Sequence, residues 1–315
     1  MRKWMLILLC CALLIGGGSV LAQEATPQPT SEATAEVQPL PTVFLILMEN
    51  HNWNQIVDSP SAPYINNTLL TIGAHAEQYY NPPGLHPSEP NYLWLEAGTN
   101  FGILNDADPV INHIASTAHL TTLLDAAGIS WKDYQENIDG KTCPLGSYDH
   151  YGAKHNPMVF FDDVTHNADR SSANCIAHVR PYTELADDLA SGNVAHYNFI
   201  TPNLCDDMHD SLGCPTTNSL RNGDTWLAQA IPPIMASAAY RTNGVILITW
   251  DEGEGSDGPI GMIVLSPFAK PGYANSIHYT HSSTLRTLEE LFGVRPFLGD
   301  AAKATDLRDL FVTMP

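Results

Sequence analysis

Two strings of oxygen-donor side chains each follow a short apolar run. Met48-Glu49-Asn50-His51 comes directly after Val43-Phe44-Leu45-Ile46-Leu47, and Trp250-Asp251-Glu252 comes directly after Val245-Ile246-Leu247-Ile248-Thr249. Both runs are rich in β-branched residues and lack polar alternation, the pattern of a strand buried on both faces. Ligands of open α/β sheets bind beyond the carboxyl ends of parallel strands. Two such ends side by side bring Glu49, Asn50, Asp251 and Glu252 together. Carboxylates crowded in this way repel one another unless a cation lies among them. The expectation is a divalent metal cation, one ion or two, and a metal-dependent enzyme around it.

A nucleophile candidate lies in Leu85-His86-Pro87-Ser88-Glu89-Pro90-Asn91-Tyr92, just before a predicted helix over Asn91–Glu96. A hydroxyl at a helix N-terminus faces free backbone N–H groups and the positive end of the helix dipole, a setting that favours an anion such as a serine phosphate. The plainer reading of Ser88 is a helix cap. Lys154-His155 can supply positive charge to phosphoryl oxygens.

Taken in order, several strings resemble those of the phosphoesterase family of bacterial and fungal acid phosphatases and phospholipases C, within the alkaline-phosphatase superfamily. They are Met48-Glu49-Asn50-His51, His86-Pro87-Ser88-Glu89-Pro90-Asn91-Tyr92, Lys154-His155-Asn156-Pro157, Pro202-Asn203-Leu204-Cys205-Asp206-Asp207-Met208-His209-Asp210, Trp250-Asp251-Glu252 and Tyr279-Thr280-His281-Ser282. The resemblance implies that Glu49, Asn50, Asp251 and Glu252 hold the metal and that Ser88 is the nucleophile. It implies substrate contacts from His86, Asn91, Lys154 and His155. Within the superfamily an Asp/His group and a late His often form a second metal site, which here would be Asp207, His209 and His281. His209 and His281 are alternatively catalytic, binding phosphate or protonating the leaving oxygen. The chain departs from many relatives after the acidic pair, where Asp257-Gly258-Pro259-Ile260 stands in place of a His or Arg. The implied activity is hydrolysis of small phosphate monoesters through a phosphoserine. The alternatives are a phospholipase C-type diesterase and a catalytically silent secreted binding protein. The chain ends soon after Gly293, which favours a phosphatase over the longer phospholipases.

The elements that must position these residues alternate between strand-like and helix-like patterns. Strands are expected at Val43 to Met48, Ser130 to Tyr134, His196 to Ile200, Val245 to Trp250 and Met262 to Leu265. Helices are expected at Thr121 to Ala127, Pro181 to Ala190, Asp224 to Tyr240, broken or kinked near Pro232-Pro233, and Ser282 to Phe292. The alternation predicts a three-layer α/β sandwich with a mainly parallel central sheet, alkaline-phosphatase-like once the resemblance is added. The stretch from Asp139 to Asn174 reads as a long irregular loop.

Residues 1–22 have the basic start, apolar core and Val20-Leu21-Ala22 ending of a signal peptide. That core is shorter than the ~20 residues a spanning helix needs, so no stable membrane insertion is expected. Residues 23–41 read as a disordered Thr/Pro/Ala/Glu-rich spacer, and residues 42–315 as a single catalytic domain. A leader implies secretion or a periplasmic location. Of the cysteines, Cys143, Cys175, Cys205 and Cys214 follow the leader. An even number in an exported chain favours disulfides. Three pairings are open, and Cys143–Cys175 with Cys205–Cys214 is the expected one. A net charge of −20 argues against nucleic acid and anionic membranes as partners. Among the 13 histidines, His75, His113, His119, His166 and His178 read as surface or loop residues with no role in the site.

Overall fold

The computed structural model describes residues 39–209, 212–255 and 257–315. The expected signal peptide and nearly all of the expected spacer lie outside these residues. Residues 39–41 are held rather than loose: Asn243 Nδ2 donates to the carbonyls of Pro39 and Leu40 at 2.8 and 3.0 Å. The compact unit therefore begins at Pro39.

The strands are β1 (Val43–Met48), β2 (Ala74–Ala76), β3 (Tyr79–Tyr80), β4 (Trp131–Gln135), β5 (Val179–Pro181), β6 (Tyr197–Thr201), β7 (Val245–Trp250), β8 (Met262–Leu265), β9 (Tyr273–Asn275) and β10 (Tyr279–Thr280). Eight of them form one sheet in the order β5-β4-β6-β1-β7-β8-β2-β9, and β10 pairs with β3 separately. β8 is antiparallel to both neighbours, and every other pair in the sheet is parallel, so seven of the eight strands run one way. All six residues of β1 and all six of β7 are buried. Apolar side chains alternate above and below these central strands, so both faces of the sheet need a cover.

Helices α1 (Ser88–Ala97), α2 (Leu120–Ala127) and α6 (His281–Phe292) pack on one another. On α4 (Ser219–Ala236) pack both α3 (Leu185–Ser191) and α5 (Ala238–Asn243). Two helical groups and a sheet buried on both faces make the expected α/β sandwich.

Several boundaries differ from the sequence reading. The helix expected from Asn91 starts at Ser88, because Pro87 holds an extended φ/ψ at the cap and prolines are tolerated in a first turn. It ends at Gly98, which takes φ 67° and donates to Trp94 O. The helix expected from Pro181 is split into the end of β5, a 3₁₀ turn and α3. α4 runs through Pro232-Pro233 to Ala236 rather than breaking there. Its apolar face of Leu220, Leu227, Ile231 and Ile234 is buried, and that packing outweighs the backbone bonds the prolines forfeit. The long stretch 139–174 contains short helical turns and is closed by the expected Cys143–Cys175 bridge, Cα atoms 5.5 Å apart. The Cys205–Cys214 bridge also forms, at 5.2 Å. No described helix is long and apolar enough to cross a membrane.

Candidate active site

β1 and β7 are parallel neighbours in matched register, Met48 opposite Trp250. The residues that follow therefore leave the sheet together. Asn50 takes φ 35°, which aims its backbone N–H at Asp251 Oδ1, 3.0 Å away. One end of the Asn50 amide lies 3.2 Å from both Asp251 Oδ1 and Glu252 Oε1. Either that end is the NH2 group or a cation lies between the oxygens. Asn91 Nδ2 reaches Glu252 Oε2 at 3.3 Å and also donates to the carbonyls of Leu85 and Pro87. Asn91 thus ties the turn before α1 to an acidic side chain.

Glu49 turns the other way, into a fully buried cluster. Its Oε2 accepts from Ser88 Oγ at 3.2 Å and its Oε1 from Tyr92 OH at 2.6 Å. Ser88 also lowers the proton affinity of the Asp251 carboxyl, so its hydroxyl acts on both carboxylates. Beyond Glu49 lies His155, with Nε2 3.3 Å from Glu49 Oε1 and Nδ1 3.3 Å from Asp207 Oδ2. The ring stacks on Tyr92 at 5.1 Å. The chain packs tightly to hold this corner. Glu49 N donates to Asp207 O at 2.7 Å. A Cβ on Gly223 of α4 would meet Met208 Cγ at 2.3 Å and Met48 Cε at 3.0 Å, so only glycine lets the helix approach the loop beside Asp207.

Electrostatics mark both groups as short of positive charge. Burial, then the charges of Asp251 and Asp207, pushes the Glu49 carboxyl well above the usual carboxylate range. Burial likewise raises Asp207. It pushes Asp251 up to about 7 and, with the charge of Asp251 adding, Glu252 up to about 9. Burial, followed by the charges of Lys154 and His209, pushes the His155 imidazole well below its ordinary value. The His155 contacts to Glu49 and Asp207 are therefore not ion pairs, because the ring is neutral. Both His155 nitrogens, Asp207 Oδ2 and Asp251 Oδ2 are buried without a hydrogen-bond partner. A neutral imidazole and carboxylates with unused lone pairs are the donor set a divalent cation takes.

Among the described residues, Glu49, His155 and Asp207 form the group of His, Cys, Asp and Glu that could hold a metal ion. This differs from the expected sets in two ways. Glu49 meets His155 and Asp207, while Asn50, whose φ is 35°, meets Asp251 and Glu252. The set Asp207, His209 and His281 is not assembled: Asp207 joins Glu49 and His155, while both His281 ring nitrogens are engaged elsewhere. His281 Nε2 donates to Asp251 O at 2.6 Å, and Nδ1 meets Tyr79 OH at 3.1 Å. Burial pushes this imidazole down to about 4, so it is a neutral brace for the backbone of Asp251. His209 is half-buried, its ring 5.8 Å from that of His155 and its N–H on Asp207 Oδ1 at 2.7 Å.

The rim carries the remaining expected residues. His86 is 44% exposed and lies 3.6 Å from Glu252 Oε2 and 2.8 Å from Asp257 Oδ1. Asp257, the departure from many relatives, thus braces His86. Asn50, His86 and Glu252 to Gly255 line a cavity of about 340 Å³. Lys154 Nζ is 3.0 Å from Asp106 Oδ2. Burial works against its charge, but Asp106, Glu49 and Asp251 overcome this and raise its pKa. Asp106 went unassigned in the sequence. Its other oxygen accepts from Glu89 N at 3.0 Å, in the first turn of α1. Tyr92 was legible in principle, since it stands one helical turn from Ser88 and so shares its face.

The family model for the Phosphoesterase family matches residues 59–295. The chain is 30% identical to a phosphatidylinositol-3-phosphatase of Mycobacterium tuberculosis, across 91% of this chain and 88% of that protein. It is 32% identical to a phosphate-repressible acid phosphatase of Penicillium chrysogenum, across 68% of this chain and 51% of that one, so it spans about half the length of the fungal enzyme. Among solved structures, a protein of the alkaline phosphatase superfamily from Vibrio parahaemolyticus superposes with a TM-score of 0.55 at 11% identity, covering 86% of this chain and 72% of that one. The sandwich with its mainly parallel sheet is thus the alkaline-phosphatase fold, and the chain belongs to the Phosphoesterase family, hydrolases of phosphoric esters.

Proposed function

We propose that this chain is an exported, metal-dependent acid phosphatase that cleaves small phosphate monoesters through a phosphoserine on Ser88. The observation that carries the reading is the Ser88 hydroxyl itself. It is buried, opens α1, and lies 3.2 Å from Glu49 Oε2 between two groups of metal-type donors. Asn50, Asp251 and Glu252 on one side, and Glu49, His155 and Asp207 on the other, would hold the cation. Bound there, a divalent cation supplies charge that polarises a phosphoryl oxygen and lowers the pKa of a hydroxyl.

The chain's own residues do the rest. Glu49 orients Ser88 Oγ. Lys154 carries a stable positive charge toward the phosphoryl oxygens, and the first N–H groups of α1 add to it. His86 borders the cavity where the ester oxygen enters. In the first step Ser88 Oγ gives its proton to Glu49 as the Oγ–P bond forms, the P–O bond to the alcohol breaks, and the alcohol oxygen takes a proton from His209. In the second, water attacks phosphorus and gives a proton to His209, the P–Oγ bond breaks, and Ser88 Oγ takes back the proton held by Glu49. Two disulfides fit an oxidising compartment.

A second reading concerns substrate. The Mycobacterium relative, matched over 88% of its length, acts on a phosphate monoester of a lipid headgroup, which makes such a lipid the second candidate. The test is acid-quenched mass spectrometry during turnover of p-nitrophenyl phosphate. Phosphate on the peptide containing Ser88 is expected; phosphate on a histidine, or none with full turnover, would overturn the mechanism.

A further inference from the structure

Large apolar side chains exposed singly are ordinary, whereas several together mark a contact surface. Nine described residues are of this kind, and three of them fall within eight positions: Leu104 at 64%, Val110 at 58% and Ile111 at 71% exposed. They stand on one loop. Val110 and Ile111 belong to the short helical turn Pro109–Asn112, and Asn112 Nδ2 folds back onto Asn105 Oδ1 at 2.9 Å, next to Leu104.

The loop is fixed to the first turn of α1 on either side of Val110-Ile111. Asp106 accepts from the backbone N–H of Glu89, and Asn112 Nδ2 donates to Glu89 Oε1 at 2.9 Å. Glu89 is the residue after Ser88. Asp106 also holds Lys154. Behind the tip, Phe101 packs edge-on against Phe161, ring centres 5.9 Å apart, and Ile114 bridges to Phe161. The tip is therefore a braced projection beside the nucleophile.

We propose that Leu104, Val110 and Ile111 form a lip that enters the acyl region of a zwitterionic lipid surface and presents to Ser88 a long-chain phosphate monoester carried in that surface. The occupant follows from charge. Residues 99–112 contain no Lys or Arg but include Asp106 and Asp108, and the whole chain carries −20. Anionic lipid is repelled, and a cation belt of the kind that binds it is missing from the loop. A zwitterionic surface offers the same hydrocarbon without that repulsion. Small soluble esters need no such contact and reach the cavity directly.

The experiment compares the full chain with its Leu104→Ser/Val110→Ser/Ile111→Ser variant, so that any contribution of residues 1–38 cancels. Sedimentation with phosphatidylcholine vesicles is read first. The variant should lose at least about tenfold in vesicle affinity, and replacing a third of the lipid by phosphatidylglycerol should weaken binding of the parent at low salt. Hydrolysis of a long-chain phosphate monoester in the same vesicles should fall about tenfold or more, with p-nitrophenyl phosphate turnover unchanged. Equal sedimentation of the two proteins, or none by the parent, overturns the lip. Tighter binding to anionic vesicles overturns the charge argument. A solution dimer that only the parent forms, without vesicle binding, would assign the patch to a second copy of the chain. The hydrolysis arm rests on the phosphatase reading and the sedimentation arm does not. Vesicle binding without turnover of any ester would therefore sink that reading and leave the lip.

Discussion

Ser88 separates the two uses a serine has at a helix N-terminus. A cap would turn its oxygen to the N–H groups of its own helix; this one donates away from the helix to Glu49. Ser88→Ala should cut turnover by at least ~10²-fold, the scale for loss of a positioned catalytic group, and leave the bound metal content unchanged. Retained turnover would make it a cap after all. Asp106 acts on Lys154 at a remove. Asp106→Ala releases Lys154 and the first turn of α1 together, so KM for p-nitrophenyl phosphate should rise about tenfold, and Asp106→Asn should recover part of that by accepting from Glu89 N. A change in kcat alone would place the effect elsewhere. Much of the site could be read from residue types: the acidic pairs, the serine, Lys154 and His155 sit in short strings with recognisable chemistry. Which of them meet could not. Glu49 and Asn50 are adjacent in the chain yet meet different partners, because the backbone turns at Asn50, φ 35°, beyond the end of β1. His281 reads from the sequence as a ligand or a catalytic group, and the structure sets its Nε2 on the carbonyl of Asp251, 2.6 Å away, and its Nδ1 beside Tyr79 OH.

At the scale of elements, the central parallel strands were legible because their sequences are unbroken apolar runs. The margin was not. β2, β9 and β5 are three residues each, too short for a periodicity to register, and β2 carries His75 between two alanines. Their pairing is set by neighbours rather than by their own composition. Helix α4 owes its seat to Gly223. Gly223→Ala should cost about 1–3 kcal/mol as Met208 is forced aside, and should impair activity through the adjoining Asp207. Denaturation and turnover measured on the same preparation test this, and an unaffected variant would mean the loop moves freely. α1 and α2 are joined by His119, whose Nδ1 lies 3.2 Å from Glu96 Oε1 and Nε2 3.0 Å from Asp163 Oδ1. Burial alone would lower this imidazole, but Asp163 and Glu96 overcome it and push it up to about 9. A raised folded-state value means that the stabilisation is complete below the unfolded value near 6.5 and is lost as pH rises through about 9. His119→Gln should cost about 1.5–3 kcal/mol at pH 6, and the gap to the parent should close by pH 10. A gap that widens with pH would reverse the sign. The sequence offered only a histidine before a helix, which reads as a surface residue and is a buried joint.

For the whole molecule, cation binding and folding are linked, since the raised carboxylates and the neutral His155 come together only in the folded chain. A divalent cation at about 100 times its Kd should add ~2.7 kcal/mol and raise Tm by several degrees. Asp251→Asn should blunt that rise, and an identical rise in both proteins would detach the metal from this site. The order of strands carries one more consequence. β1 lies at the centre of the sheet, yet its partners are β6 and β7, with Val43 opposite Tyr197 on one side and Val245 on the other. A chain made from its N-terminus exposes one edge of its most apolar strand until Tyr197–Thr201 exist and the other until Val245–Trp250 exist. Such non-local pairing is slow, and unpaired edges attract other chains. The centre of the sheet therefore cannot close until Val245–Trp250 has been made. A chain stopped just before Val245 should stay unfolded or aggregate, as limited proteolysis would reveal, and the same is expected of the complete chain whenever its emergence stalls.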